Sequence, residues 1–293
     1  MNIKAIFCKN LIKALIATLM LSTSTIALSA NYGNLKLRSD VALIVNSDTG
    51  EVLYQKNSER QASIASITKL MSALVVLDSE QNLEEKITIQ KEDIAYQSTA
   101  RKKLRVGTQI TREEALLLGL MASENRVMNS LARTYPGGKS AFVSAMNKKA
   151  KSLGMEDTHY KDPTGLSYEN KSSAKDLVIL MNEASKNDLI REFSTTKSYK
   201  IDTAKKKIFR QSFVNTNPIV RASRMQVLLQ KTGFIRAAGR CLVLQARISG
   251  KNISMVFLNA KGKNGRFLDA LTANKFVKKI LSSNKKPPVG GIH

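Results

Sequence analysis

The pattern of apolar and polar residues begins with strand-like stretches, becomes helical in the middle and returns to strands before a last helix. Two apolar stretches, Asp40–Val45 and Glu51–Tyr54, flank the polar segment Ser47–Gly50, a composition typical of a β-hairpin with a tight turn. From Ser66 to Leu77 the apolar residues recur at helical spacing. The sequence therefore predicts a hairpin followed by a helix that begins at Ser66.

The middle of the chain has mainly helical patterns. Thr111–Glu114 forms a capping box and leads into the apolar segment Ala115–Met121. Further helices are predicted, with glycine- and proline-containing segments between them, at Arg126–Arg133, Ser140–Leu153 and Ala174–Ser185. These helices are expected to form one lobe.

Strand patterns return late in the chain, at Gln226–Lys231, Cys241–Ile248 and Ile253–Asn259, and a helix is predicted at Arg266–Leu281. Strands near both ends with helices between them predict an α/β chain of the α+β kind. We expect one antiparallel sheet built from the two ends of the chain, a helical lobe, and a cleft between them.

The first thirty residues have the three-part pattern of a secretory signal peptide. Lys4, Lys9 and Lys13 precede the apolar stretch Ala14–Leu21, and small residues follow up to Ala30. The alternative is a membrane anchor, but the apolar stretch is shorter than the roughly 20 residues that a membrane-spanning helix needs. We therefore predict a signal peptide at 1–30, a catalytic domain at 31–284 and a flexible tail at 285–293.

The charge of the chain is strongly positive. The formal net charge is +24, and removal of the three leader lysines would leave +21. Such an excess favours a polyanionic neighbour. Export argues against nucleic acid, and no nucleic-acid motif accompanies the lysines. Peripheral contact with anionic polymers or a membrane surface is therefore one interpretation, and a merely solubilising basic surface is the other.

The cysteines and histidines provide few candidates for catalytic or metal-binding residues. Cys8 lies in the leader, so Cys241 would remain without a disulfide partner, and its apolar neighbours favour a buried core position. His159 and His293 are the only histidines, which argues against a histidine-based triad and against a metal site. We predict no metal and no cofactor.

Ser66 and Lys69 are the first candidate catalytic pair. Residues three apart on a helix share one face, so the Lys69 amine could remove the proton from the Ser66 hydroxyl. The partial positive charge of a helix N-terminus would favour a neutral lysine and a developing oxyanion. The Ser-x-x-Lys pattern alone is weak, because a serine at a helix start is also an ordinary N-cap and the pattern recurs at Ser172, Ser194, Ser282 and Ser283.

A second candidate element is Ser123–Asn125, between two predicted helices. The Ser123 hydroxyl could relay a proton to a leaving amine, and the Asn125 amide could bind a substrate carbonyl and hold Lys69. Ser-x-Asn also occurs at Ser29, Ser185 and Ser282. This element is therefore also weak by itself.

The third element, Lys231–Gly233, occurs once and is predicted to end a strand. Lys231 and Thr232 could bind a carboxylate, and Gly233 would leave room for an extended peptide at the strand edge. A strand terminus with a turn glycine is the alternative. The order of the three elements, each in a fitting context, makes coincidence in all three improbable.

With these motifs the chain resembles the serine penicillin-binding proteins and β-lactamases. The resemblance covers roughly 40–259 and includes Asp48–Tyr54, Ala141–Met155, Asp162–Leu166 and Ala238–Gly239, which are similar to the low-molecular-mass D-alanyl-D-alanine peptidases. Ser123–Arg126, Tyr135–Gly138 and Lys231–Leu242 are most similar to the endopeptidases of the penicillin-binding protein seven group. Val127–Asn129 and Pro218–Met225 depart from the expected pattern.

The resemblance implies a β-lactamase/transpeptidase-like fold with its active site in the cleft. It implies an acyl-enzyme at Ser66, with Lys69 and Ser123 catalytic, with Asn125, Lys231, Thr232 and Gly233 binding substrate, and with the backbone N–H groups of Ser66 and Phe234 forming an oxyanion hole. The implied substrate is the D-alanyl-meso-diaminopimelate cross-bridge of peptidoglycan, and β-lactams would be covalent inhibitors. The implied location is the periplasm.

Three other functions stay open. D-alanyl-D-alanine carboxypeptidase activity is the main alternative, and a β-lactamase comes third. A non-catalytic protein that binds the cell wall is the alternative of a different class. The positive net charge of the chain is the reason to consider it.

Overall fold

The computed structural model describes residues 35–94, 104–202 and 210–283. The predicted signal peptide and the predicted tail lie outside these residues. A five-stranded antiparallel sheet forms the centre of the molecule, in the order β2-β1-β11-β10-β9. Its strands are β1 (Ser39–Asn46), β2 (Val52–Lys56), β9 (Val227–Ile235), β10 (Gly239–Ile248) and β11 (Lys251–Ala260).

The sheet joins the two ends of the chain as the sequence predicts. The first strand, β1, pairs with the last strand, β11, in a register that places Ile44 opposite Met255. Both faces of β1 are apolar: Val41 and Leu43 pack on the side of the helical lobe, and Ile44 packs on the opposite side. A sheet covered on both faces explains why β1 is a nearly continuous apolar run rather than an alternating one.

Helices cover both faces of the sheet. One face carries the helical lobe, and the final helix packs on the other face against β1, β10 and β11. The described helices are α1 (Lys69–Asp78), α2 (Arg112–Met121), α3 (Asn125–Arg133), α4 (Gly138–Ser152), α5 (Ala174–Ala184), α6 (Asp188–Thr195), α7 (Pro218–Arg221) and α8 (Gly265–Ser283).

Three two-stranded ribbons were not predicted. They pair β3 (Ala62–Ser63) with β6 (Lys171–Ser172), β4 (Lys86–Thr88) with β5 (Gln109–Thr111), and β7 (Ser198–Asp202) with β8 (Arg210–Val214). The first two have only two or three residues in each strand, too few for a periodic pattern. The short helix α7 also falls in the segment that departs from the family pattern.

The predicted boundaries differ from the structure at two functional positions. Ser66 does not cap an α-helix: it is the second residue of the 3₁₀ turn Ala65–Thr68, and the α-helix starts at Lys69. The Lys231–Gly233 segment does not end a strand but lies inside β9, with Gly233 opposite Cys241. Pairing with β10 extends β9 past Gly233, although the local preference of glycine indicated a turn there.

Candidate active site

The backbone at Ser66 is held by close contacts with two glycines. Ala65, directly before it, has a left-handed φ of +47°. A Cβ atom on Gly165 would lie 2.0 Å from the Ala65 carbonyl oxygen, and one on Gly233 would lie 3.0 Å from the Ile64 carbonyl oxygen. Glycine is therefore required at 165, and a side chain at 233 would be a tight fit, so both segments approach Ser66 closely while its side chain stays partly exposed.

Lys69 connects three parts of the chain. Its Nζ donates to Ser66 Oγ at 2.8 Å, to Asn125 Oδ1 at 2.8 Å and to the Thr164 carbonyl oxygen at 2.6 Å. The Asn125 and Thr164 oxygens can only accept hydrogen bonds. A neutral amine that donates its two hydrogens to these oxygens therefore turns its lone pair toward the Ser66 hydroxyl.

The protonation of Lys69 is set by its burial. The side chain is fully buried. Burial lowers the pKa of Lys69 to about 7, although the negative charges of Asp162 and Glu124 act in the opposite direction. The amine is thus near the midpoint of its titration at neutral pH, as a general base requires.

The Thr164 carbonyl is held in place by the loop 161–170. The Asp162 carboxylate accepts hydrogen bonds from the backbone N–H groups of Thr164, Gly165 and Ser167 at 2.6 to 2.9 Å. The Asn170 side chain ties this loop to the 3₁₀ turn that contains Ser66 by donating to Thr68 Oγ1 at 2.9 Å. The loop is therefore a rigid support, which positions one of the three Lys69 acceptors.

Ser123 and Asn125 lie at the junction of α2 and α3. Ser123 has a left-handed φ of +59°, a conformation that costs a serine about 1 kcal/mol or more. Glu124 is the N-cap of α3, and its carboxylate accepts from the Arg126 backbone N–H at 3.3 Å. Asn125 is the first residue of the helix, which directs its amide to Lys69.

Lys231 lies on the other side of Ser123. Its Nζ donates to Ser123 Oγ at 2.9 Å and to the Thr232 carbonyl oxygen at 3.0 Å. The side chain is fully buried, and its pKa is lowered well below the usual range by burial, then by the positive charges of Lys69 and Arg266. Ser123 and Asn125, two residues apart, thus contact Lys231 and Lys69 respectively, which places both lysines at the junction of α2 and α3.

Strand β9 forms the edge of the sheet at the site. The Thr232 hydroxyl is 2.6 Å from the Thr216 hydroxyl. The Phe234 side chain is about half exposed, and the Arg240 guanidinium lies 4.6 Å from the centre of its ring. A Cβ atom on Gly233 would lie 3.1 Å from the Ser66 nitrogen, so the main chains of β9 and Ser66 adjoin. The oxyanion hole of the Ser66 and Phe234 N–H groups stays a prediction.

The comparisons with known proteins agree with this geometry. The family model of D-alanyl-D-alanine carboxypeptidases matches residues 27–262. The chain belongs to this family. The chain is 42% identical over 242 residues to a D-alanyl-D-alanine endopeptidase of Pseudomonas aeruginosa, across 83% of this chain and 78% of the relative. It is 41% identical over 235 residues to one of Escherichia coli, across 80% and 76% of the two chains.

The fold of this D-alanyl-D-alanine carboxypeptidase family member is that of a solved relative. The Streptomyces K15 DD-transpeptidase superposes with a TM-score of 0.78 at 29% identity, across 83% of this chain and 98% of that structure. The predicted penicillin-binding and β-lactamase-like fold class is thereby confirmed, as is the predicted family.

Three residues near the site of this family member were not predicted from its sequence. Thr164 contributes a backbone carbonyl, so its residue type carries no signal. Thr216 lies in an irregular segment, and only its contact with Thr232 reveals it. Arg266 was read as the first residue of a helix, yet its side chain is only 8% exposed and its Nε and Nη1 atoms have no hydrogen-bond partner within the described residues.

Arg266 is the most unusual of these three residues. Burial and the nearby Arg240 lower the pKa of Arg266 to about 10. An arginine buried without acceptors costs free energy unless an anion completes its hydrogen bonds. No sequence pattern marks it, and its positive charge contributes to the lowered pKa of Lys231.

Other candidate chemistry is sparse across 35–94, 104–202 and 210–283. Cys241 is a free, fully buried thiol whose pKa is raised by burial to about 11, as a core position requires. No group of three or more His, Cys, Asp or Glu side chains in these ranges could hold a metal ion. None of the helices in these ranges has the length and apolar content to cross a membrane.

Proposed function

We propose that this protein is a serine D,D-endopeptidase that hydrolyses D-alanyl-meso-diaminopimelate cross-bridges of peptidoglycan through an acyl-enzyme at Ser66. The observation that carries the proposal is the fully buried Lys69 amine, 2.8 Å from Ser66 Oγ and with a pKa of about 7. D-alanyl-D-alanine carboxypeptidase activity is the second candidate, and the description of the family favours it.

The first step is acylation of Ser66. Neutral Lys69 takes the hydroxyl proton while Ser66 Oγ attacks the carbonyl carbon of the D-Ala residue. Lys69 becomes charged, and its three hydrogens then have three acceptors in Ser66, Asn125 and Thr164. The same three contacts therefore stabilise the amine before and after proton transfer. The N–H groups of Ser66 and Phe234 would hold the oxyanion.

The second step is departure of the amine. When the C–N bond breaks, the leaving nitrogen needs a proton, and the Ser123 hydroxyl can supply it. Lys231 donates to Ser123 at 2.9 Å and its lowered pKa makes it a ready proton source for the serine. The proton that Lys69 took from Ser66 must then pass to Lys231, so that both lysines return to their starting states without a histidine.

The carboxylate beside the leaving amine meets a positively charged end of the cleft. Thr232 offers a hydroxyl, and Arg266 offers two buried donors that have no partner within the described residues. Lys231 lies at the same end, where its Nζ donates to Ser123 Oγ and to the Thr232 carbonyl oxygen. A free carboxylate next to the scissile bond is common to terminal D-Ala and to the cross-bridge, so this end explains the substrate class but not the choice within it.

Hydrolysis of the ester completes the cycle, since water attacks the acyl carbon and returns the proton to Ser66. Penicillins would acylate Ser66 in the same way, but their leaving nitrogen stays bonded to the acyl group and remains in the cleft. Because in addition no carboxylate among the described residues hydrogen-bonds to Ser66 or Lys69 to activate water, this adduct would persist. A persistent adduct would distinguish this protein from a β-lactamase, which would turn penicillin over rapidly. The names of the Pseudomonas and Escherichia relatives favour the endopeptidase.

We place this activity in the periplasm, with peptidoglycan peptides as the partners and β-lactams as covalent inhibitors. The first thirty residues have the pattern of a signal peptide, and a peptidoglycan substrate is found only outside the cytoplasm. The charge of the chain would favour peripheral contact with anionic wall polymers or membrane surfaces.

The acyl-enzyme is tested with a fluorescent penicillin. The wild-type protein and the Ser282→Ala variant should carry a stable label, whereas Ser66→Ala should carry none. Ser282 is a matched control because it also begins a Ser-x-x-Lys pattern, but it is exposed at the end of α8. Labelling of Ser66→Ala at the wild-type rate would exclude Ser66 as the nucleophile.

The choice of substrate is tested with purified muropeptides and mass spectrometry of the products. An endopeptidase converts cross-linked dimers to monomers, whereas a carboxypeptidase releases free D-Ala from pentapeptide monomers. Wild-type protein that reacts with penicillin could be found to bind cell-wall sacculi and yet to leave both muropeptides intact. That result would favour the non-catalytic wall-binding function.

A further inference from the structure

The excess positive charge of the described residues is confined to the last third of the chain. Residues 35–94 and 104–202 together contain 22 Lys and Arg and 22 Asp and Glu, so their formal charges cancel. Residues 210–283 contain 14 Lys and Arg and a single acid, Asp269. A surface that is charged only for solubility has both signs interspersed, so this separation of charge points to an anionic partner.

The single acid of this segment does not neutralise its surface. Asp269 is fully buried, and its carboxylate accepts from the backbone N–H groups of Arg38 and Ser39. Every ion pair between described residues lies before residue 203. The exposed bases of 210–283 therefore have no carboxylate partner within the described residues.

Five of these exposed bases lie on one side of the molecule, along α7 and α8. Two of them share a groove with two leucines of α8, and the other three follow these leucines on one stripe of the helix, at spacings of three or four residues. Leu268 is 42% exposed, so an apolar side chain lies among the bases. We define the α8 face as the surface formed by Arg221, Arg224, Leu268, Leu271, Lys275, Lys278 and Lys279.

The α8 face and Ser66 lie on opposite sides of the sheet. Phe267 and Val277 of α8 belong to the apolar cluster on one face of the sheet, together with Ile44 of β1. Ile67, directly after Ser66, belongs to the cluster on the other face, with the helical lobe. A flat surface in contact with the α8 face would therefore leave the catalytic cleft open on the far side.

We propose that the α8 face is a docking surface for an anionic lipid membrane. Clusters of about four to eight Lys and Arg on a helix bind anionic lipid surfaces, and the α8 face supplies five such bases. The exposed side chain of Leu268 would enter the headgroup region, as in helices that lie on a membrane. Because the attraction acts between exposed charges, salt should reverse it.

A lipid surface fits the α8 face better than a wall polymer does. A wall peptide has to reach Ser66 on the opposite side of the sheet, so a protein held to the wall by its α8 face would turn its cleft away from that wall. Docking on a lipid surface has the opposite effect and leaves the cleft directed at the wall. This choice of partner rests on the proposed activity on peptidoglycan, whereas the binding itself does not require it.

The inference is tested by sedimentation of the purified mature protein with two kinds of vesicle: phosphatidylcholine alone, and an equal mixture of phosphatidylcholine and phosphatidylglycerol. We expect binding to the anionic vesicles only, and release at high salt. The variant Lys275→Gln/Lys278→Gln/Lys279→Gln should bind the anionic vesicles at least about tenfold more weakly. The rate of penicillin labelling reports that the variant is folded with an intact Ser66 centre.

The matched control removes three exposed lysines from a helix of the helical lobe, as Lys139→Gln/Lys148→Gln/Lys151→Gln in α4. It changes the net charge by the same amount, so it separates the α8 face from a general charge effect. The control should bind the anionic vesicles as tightly as wild type does. Equal weakening in the two triple variants would contradict a docking surface at the α8 face.

The remaining outcomes separate this inference from the proposed function. Failure of wild type to bind the anionic vesicles, or equal binding to both kinds of vesicle, would overturn the inference. Binding to lipid-free sacculi that only the α8 variant loses, without binding to vesicles, would instead assign the face to a wall polymer. Cleavage of cross-linked muropeptides is measured without vesicles, where the α8 variant should match wild type. No cleavage by wild type would contradict the endopeptidase function and leave the vesicle result standing.

Discussion

In the proposed mechanism, Lys69 determines when Ser66 can react, because only the neutral amine can accept the hydroxyl proton. With a pKa of about 7 for Lys69, the reactive form is lost as the pH falls through neutrality. The rate of Ser66 acylation by penicillin should therefore fall about tenfold for each pH unit below the pKa and level off above it. A stopped-flow rate profile measures this, and a profile without an inflection near neutrality would contradict Lys69 as the base.

A substitution at Glu124 should shift the pH profile of Ser66 acylation. Its negative charge raises the pKa of Lys69, so Glu124→Gln should shift the inflection to lower pH by a fraction of a unit. Glutamine keeps the carbonyl oxygen that accepts from Arg126 N–H, which preserves the N-cap of α3. Glu169→Gln is the control, since Glu169 is exposed and does not affect the pKa of Lys69. Equal shifts in both variants would indicate a general charge effect.

Cys241 should be chemically silent in the folded protein. It is completely buried, and burial raises the pKa of its thiol to about 11, so little thiolate exists at neutral pH. A thiol reagent should label it only as fast as the protein unfolds, and the label should appear in full in denaturant. Rapid labelling under native conditions, with penicillin acylation intact, would disprove the core assignment.

At the scale of elements, the loop 161–170 and the 3₁₀ turn at Ser66 must fit together. Gly165 has a φ of +82°, and a Cβ there would lie 2.0 Å from the Ala65 carbonyl oxygen. Gly165→Ala should lower the free energy of unfolding by more than about 3 kcal/mol and abolish acylation, because strain and a backbone clash combine. Urea unfolding and penicillin labelling measure the two effects.

Gly154→Ala separates the clash from the strain. Gly154 has a similar φ of +75°, but a Cβ there would have no atom within 4 Å. This variant should lose only the cost of a left-handed alanine, about 1 kcal/mol, and should keep full acylation. Equal losses in the two variants would mean that the contact between loop and turn does not position Ser66.

At the scale of the whole molecule, a buried carboxylate adds to the β1–β11 pairing by linking the start of β1 to the last helix. Asp269 of α8 accepts from the backbone N–H groups of Arg38 and Ser39 at 2.9 and 2.8 Å, and from the Ser39 hydroxyl at 2.6 Å. Asp269→Ala should lower the free energy of unfolding by about 3 kcal/mol, because buried donors lose their acceptor. Denaturant unfolding measures the loss.

Asp40→Ala is the matched control for Asp269. Asp40 is also in β1, but its carboxylate accepts from the Asn259 side chain at the surface, at 2.7 Å. Its loss should cost less than about 1 kcal/mol. Native acylation by penicillin should persist in both variants, since neither carboxylate contacts the Ser66 site. A small effect of Asp269→Ala would mean that the ends are held by the strand pairing alone.

The sequence by itself determined those features that depend on near neighbours. Apolar stretches around a polar turn predicted the hairpin of β1 and β2, and a capping box and helical spacing predicted α2 and the final helix, because these patterns arise among near neighbours in sequence. The spacing of Ser66 and Lys69 similarly predicts a contact across one turn, and the structure gives it at 2.8 Å.

Only the tertiary structure decided the contacts between residues that are far apart in the sequence. Asn125 and Thr164 reach Lys69 across 56 and 95 positions, and Thr216 reaches Thr232 from an irregular segment. The 3₁₀ turn at Ser66 likewise depends on the packing of Gly165 and Gly233 against it, not on local preference. The sequence does not mark which backbone carbonyl will accept a hydrogen bond, and the pKa of a lysine depends on its burial. Both features therefore depend on how the helical lobe packs against the sheet.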